Sequence, residues 1–250
     1  MRLVTCSGAF LALATLAPAV NALPSFGWGQ NQPREDAVTA YGGNDISKLA
    51  KYLPSSNLPK PDGLELKFVG LGIGTQNYTC NGDKSAAPGT TGALATLYDM
   101  GSGLANDPMA AWKLASVTGL ALSLYNYHES LMWYLNSQGY QDVLGHHFFT
   151  PGTPSSVPTF LISKIQQNPP VAYVAKKDNV TAPAWAFKGL SGEGAIPWLR
   201  LVDNGKSSGG VNTVYRVETA GGNATPNCEN RPAHWEVPYA AQYWVYGPKS

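Results

Sequence analysis

The stretch Trp235-Glu-Val237-Pro-Tyr239-Ala-Ala241-Gln-Tyr243-Trp-Val245-Tyr246 decides the fold. Trp235, Val237, Tyr239, Ala241, Tyr243 and Val245 recur at period two, so they share one face of a β-strand. Pro238 has no N–H for a ladder, which predicts an edge position or a bulge there. Working back along the chain, Leu64, Leu66 and Phe68 alternate with Glu65 and Lys67, and residues 75–79 continue that strand after a glycine break. Further strands are read at 94–98, 143–149, 159–162, 171–176, 197–202 and 211–219, separated by Gly, Asn and Pro turns. The class is mainly β, an antiparallel sandwich or barrel. Residues 101–140 break the pattern. Asp107-Pro108 predicts a helix start, with Asp as N-cap and Pro in the first turn, and the Ala, Leu and Met that follow predict one or two helices inserted between strands. The β domain spans 62–250 with this insertion at about 101–140. Residues 23–61 form an irregular arm with one short helix near 45–51.

The N-terminus is a secretion signal by its chemistry. Arg2 precedes an uncharged Leu-, Ala- and Val-rich run that ends Pro18-Ala-Val20-Asn-Ala22, which predicts residues 1–22 as a signal peptide cut after Ala22. Cys6 leaves with it. Cys80 and Cys228 remain, an even pair in an oxidising compartment, and predict one disulfide. Removing Arg2 takes the formal charge from +1 to 0. A neutral chain without a basic run argues against nucleic acid or an anionic membrane surface as partner. No membrane anchor is read in the mature chain, and its oligomeric state is left open.

Five ordered blocks carry a family resemblance: Gly74-Thr-Gln76-Asn-Tyr78-Thr-Cys80, Gly145-His-His147-Phe-Phe149, Pro197-Trp198-Leu-Arg-Leu201, Val214-Tyr-Arg216-Val-Glu-Thr-Ala-Gly-Gly222, and Val237 to Tyr246. Over residues 58–246 the chain resembles the secreted fungal and bacterial family of domain of unknown function 3455. The resemblance implies a secreted, mostly β domain without an established activity, although some members carry the label malate dehydrogenase.

The residues do not support that label. Gly70-Leu-Gly72-Ile-Gly74 lacks the third glycine of a dinucleotide loop, since Thr75 follows, and no helix succeeds it. A twisted or bulged strand is the better reading, and no cofactor is assigned. His146 and His147 point to opposite faces of a strand. A zinc site from His147, His234 and Glu236 could be drawn, but nothing in the spacing demands it, and no metal is assigned. Carboxylates for acid–base work could come from Asp99, Asp142, Glu193, Glu218 and Glu236; the catalytic candidates are His147, Asp99 and Glu236. Ligand-contact candidates are Gln76, Tyr78, Trp198, Arg216 and Tyr239. Arg216, in an otherwise apolar or neutral strand, is expected to pair with a carboxylate, and Trp198, Trp235, Tyr239, Tyr243 and Trp244 to fill a core. Three sequons start at Asn77, Asn179 and Asn223, with Asn179 the best placed for a glycan and Asn77 the most occluded. The leading expectation is a secreted, non-catalytic binding or surface protein whose partner is a cell-wall polysaccharide or a host surface. The alternative is a secreted hydrolase or other enzyme using His147 and nearby carboxylates.

Overall fold

A computed structural model describes residues 45–152 and 155–249. Residues 1–22, read above as a signal peptide, and residues 23–44 of the arm lie outside the described residues. From the arm, Ile46–Tyr52 forms a 3-10 helix capped by Asp45, whose carboxylate accepts from the Ser47 amide.

The strands are β1 (Leu64–Thr79), β2 (Gly89–Asp99), β3 (Val143–Thr150), β4 (Val157–Leu161), β5 (Val171–Val180), β6 (Trp198–Asp203), β7 (Thr213–Gly221) and β8 (His234–Pro248). Each pairs antiparallel with the next, and β8 closes on β1 along its length, from Leu64↔Pro248 to Thr79↔His234. The eight strands are therefore a closed barrel, not a sandwich, and the sandwich alternative falls. Closure also answers the edge expectation for Pro238. The β7 ladder reaches only Gly221↔Tyr239, so Pro238 sits just past its last partner, where no donor is missed on that side.

β1 is one continuous strand, and the expected glycine break does not occur. Gly70, Gly72 and Gly74 instead make room. A Cβ at Gly72 would collide with the Tyr243 ring, and one at Gly74 with the Leu94 carbonyl. Gly70 and Gly72 leave room for the Leu144 and Tyr243 side chains, and Gly74 lets the β2 backbone approach.

Three helices, α1 (Gly101–Leu104), α2 (Ala110–Ser123) and α3 (His128–Gln138), lie between β2 and β3, where one or two are expected. α2 starts after Asp107-Pro108: the Asp107 carboxylate accepts from the Met109 amide and pairs with Lys113. Its buried residues Ala110, Leu114, Val117, Thr118, Ala121 and Leu122 follow helical spacing. α3 ends on Gly139, left-handed at φ 74°.

Two apolar cores result. Phe68, Leu97, Phe160, Val174, Leu201, Val214, Tyr239 and Tyr243 fill the barrel. Val69, Leu71, Leu114, Val117, Trp198, Tyr215 and Trp244 pack in a second cluster that joins the outer wall to the helices. The alternation read on β8 thus separates Tyr239, Ala241, Tyr243 and Val245, which face in, from Trp244 and Tyr246, which face out.

Candidate functional site

Cys80 and Cys228 are bonded, with Cα atoms 5.8 Å apart. The bond joins the loop after β1 to the loop before β8, and the Cys228 amide donates to the Ala86 carbonyl. At this end of the barrel lies a pocket of about 550 Å³. Ala87 and Pro88 from the first loop and Ala224 and Thr225 from the second form part of its rim. Its walls come from alternate residues of several strands: Gln76 and Tyr78 of β1, Phe149 of β3, Pro158 of β4, Lys176 and Asn179 of β5, Leu199 and Leu201 of β6, and Arg216 of β7. That is the interior face, because cross-strand pairing puts Leu199 opposite Arg216 and Arg216 opposite Tyr243.

Arg216 was expected to meet a carboxylate. It does not. The ion pairs among the described residues are Lys67–Glu65, Lys113–Asp107, Lys164 with Asp99 and Asp142, and Arg200–Asp178. The arginine that pairs with an aspartate is Arg200, on the opposite face of the neighbouring strand. Arg216 Nη2 donates to the Pro197 carbonyl at 3.0 Å, and its buried Nε has no partner. Among the described residues no Asp or Glu lines the pocket, while Lys176 adds a second cation. Opposite in character, Gln76 Nε2 donates to the Gly92 carbonyl at 2.6 Å, which leaves the buried Oε1 as an unused acceptor. Tyr78 is committed to structure: its hydroxyl donates to the Gly222 carbonyl, and its ring stacks on Trp235 at 5.6 Å.

Below the pocket the barrel is sealed. Tyr239 and Tyr243 share a hydroxyl–hydroxyl hydrogen bond of 2.7 Å. Burial raises both hydroxyls above the usual tyrosine range, and the Arg216 charge opposes it. His147 stacks on Phe160 with centroids 4.1 Å apart, and its Nδ1 bonds to the Thr159 carbonyl. Burial pushes the imidazole down to about 4, the Thr159 bond opposes this, and the Arg216 charge adds to it.

The catalytic candidates do not converge. His147 is inside the barrel beside Ala95. Asp99, farther along β2, holds the Ser102 amide and hydroxyl and pairs with Lys164. Glu236 is exposed on β8. The ligand set sketched for zinc is equally dispersed, with His147 buried and His234 exposed. Of the ligand-contact candidates, Gln76, Tyr78 and Arg216 line the pocket and Tyr239 lies in the barrel interior. Trp198 faces outward, under the helices. Sequence reasoning missed Lys176 and Phe149, and it valued Asn179 only as a sequon. Asn179 is exposed at the pocket wall, whereas the Asn223 side-chain nitrogen donates to the Ala195 carbonyl at 3.0 Å. Asn77 is half-buried.

Fold and site together define a closed eight-stranded barrel with a pocket at its disulfide-clamped end that Arg216 and Lys176 line and, among the described residues, no Asp or Glu. The chain belongs to the family described as Protein of unknown function (DUF3455), which matches residues 61–247. No curated protein and no solved structure matches it.

Proposed function

We propose that this is a secreted, non-catalytic binding protein whose barrel-end pocket takes a small hydroxylated organic acid. Among carbohydrates, an acidic sugar unit of a cell-wall polysaccharide fits best. The carrying observation is Arg216: a guanidinium at the interior face that, among the described residues, meets no carboxylate and faces a pocket lined by no Asp or Glu. A carboxylate on the guanidinium gains a charge-assisted, bidentate contact, and a ligand hydroxyl meets the free Gln76 Oε1. The apolar walls accept the carbon skeleton. The Cys80–Cys228 bond and the apolar N-terminal run support export.

Titration calorimetry with glucuronate, galacturonate and their neutral parent sugars tests the reading. The acids bind and the neutral sugars do not, and Arg216→Gln weakens acid binding by roughly tenfold or more, the scale of one lost charge-assisted contact. Equal binding by the variant, or no binding of either acid, refutes the proposal.

A further inference from the structure

A second cavity, of about 310 Å³, opens on the outer side of the barrel wall, between α2 and the 3-10 helix. Tyr52, Leu114, Trp185, Trp198 and Glu218 line it. Glu218 is unusual in three ways. It is only 7% exposed, and its carboxyl makes no hydrogen bond or ion pair with any described residue. It is a non-glycine residue at φ 46°. And it sits in a bulge, where β7 advances from Val217 to Ala220 while β8 moves only from Gln242 to Ala240. Regular alternation would send residue 218 into the barrel after 214 and 216. The bulge turns it out to the cavity instead, the use to which bulges beside binding sites are put. A carboxyl on a residue this little exposed, without a protein partner, and a left-handed backbone both cost stability.

We propose that Glu218 anchors a binding site for a small organic ammonium ion. The three aromatic residues supply the rest of the site. Trp185 and Trp198 meet edge to face, with centroids 6.4 Å apart, and Trp185 is 66% exposed, so the cavity opens to solvent along it. Aromatic faces around a carboxyl attract an alkylammonium through both its charge and its carbon substituents. The Tyr52 ring already holds the Lys51 ammonium at 4.8 Å, yet no lysine or arginine among the described residues pairs with Glu218. A neutral sugar would need more hydrogen-bonding partners than Ser55, Tyr52, Trp198 and one carboxyl provide. The site lies on the other side of the wall from Arg216, so its success or failure is independent of the organic-acid pocket.

Burial raises the Glu218 carboxyl to about 7, and Tyr52 is the one other titratable side chain among the lining residues. Cation binding near pH 7 therefore releases a proton from Glu218. Titration calorimetry of the full-length chain with choline and with n-butylammonium, in buffers of different ionisation enthalpy, reads both events. Expected are binding with proton release, loss of that release and at least a roughly tenfold weakening in Glu218→Gln, and a roughly threefold or greater weakening in Trp185→Ala. Glu218→Gln removes a buried charge and is expected to fold, which a thermal melt verifies. Absence of binding by both ammonium ions, or equal binding by a folded Glu218→Gln, overturns the proposal.

Discussion

Gly72 and Tyr243 are a single packing decision made on two strands. The ring occupies the space that any β-carbon at 72 would need. Tyr243 is fully buried, held by Tyr239 and packed against His147 and Phe160, so it has nowhere to retreat. Gly72→Ala is expected to destabilise the fold by about 1–3 kcal/mol, the usual cost of overpacking a filled core; chemical denaturation measures it. Two buried titratable residues set a pH signature. His147 is shifted down from 6.5 to about 4, so the unfolded chain binds its proton first, and stability is lost as pH falls from 6.5 towards 4. Glu218 is shifted up from 4.5 to about 7, so its contribution runs the other way and stability is lost as pH rises from 4.5 to 7. The two nearly cancel in the wild type. Glu218→Gln leaves His147 alone. Its melting temperature should drop steeply between pH 6.5 and 4 while the wild type stays flatter, and at pH 7 the variant should be more stable by about 1–3 kcal/mol. Parallel pH profiles for the two proteins would contradict this.

The loops joined by Cys80–Cys228 bring stability and binding together. The bond closes a segment with a sequence separation of 148 residues, for which chain entropy gives roughly 4–5 kcal/mol. Because Ala87, Pro88, Ala224 and Thr225 lie on the two tethered loops, the same bond fixes the pocket rim. Replacing both cysteines with serine should lower stability by about 2–5 kcal/mol and weaken acid binding at a temperature where the variant is still folded; unchanged affinity would detach the rim from the site. The strands themselves were largely legible, because period-two alternation on β8, β7 and β1 is a local property. The continuity of β1 was not, since glycines that serve a distant ring look locally like a break. Closure was equally hidden, because nothing in one strand states which strand pairs with it. Gln76, Tyr78 and Arg216 could be picked out as polar or polar-tipped residues in apolar strands. The partner expected for Arg216 went to Arg200 instead, because strand parity puts Asp178 beside Arg200 on the other face of the wall. Glu218 could be named as a carboxylate, but its direction depends on a bulge that alternation cannot foresee.

At the scale of the whole molecule the barrel is a wall with two chemical sides. Inside, an apolar axis is capped at the disulfide end by a pocket whose guanidinium meets no carboxylate among the described residues; outside, a helical layer leaves the Glu218 carboxyl among aromatic rings. Neither proposed site uses the buried imidazole, which the sequence offered as a catalytic candidate and which burial keeps neutral. The proposed function rests on the Arg216 guanidinium being kept for a ligand. A crystal structure of the full-length chain grown with galacturonate tests it most directly. The sugar carboxylate is expected on Arg216, with a hydroxyl on Gln76 Oε1. A carboxylate from the protein's own chain on Arg216, or a sugar bound away from the barrel end, would contradict it.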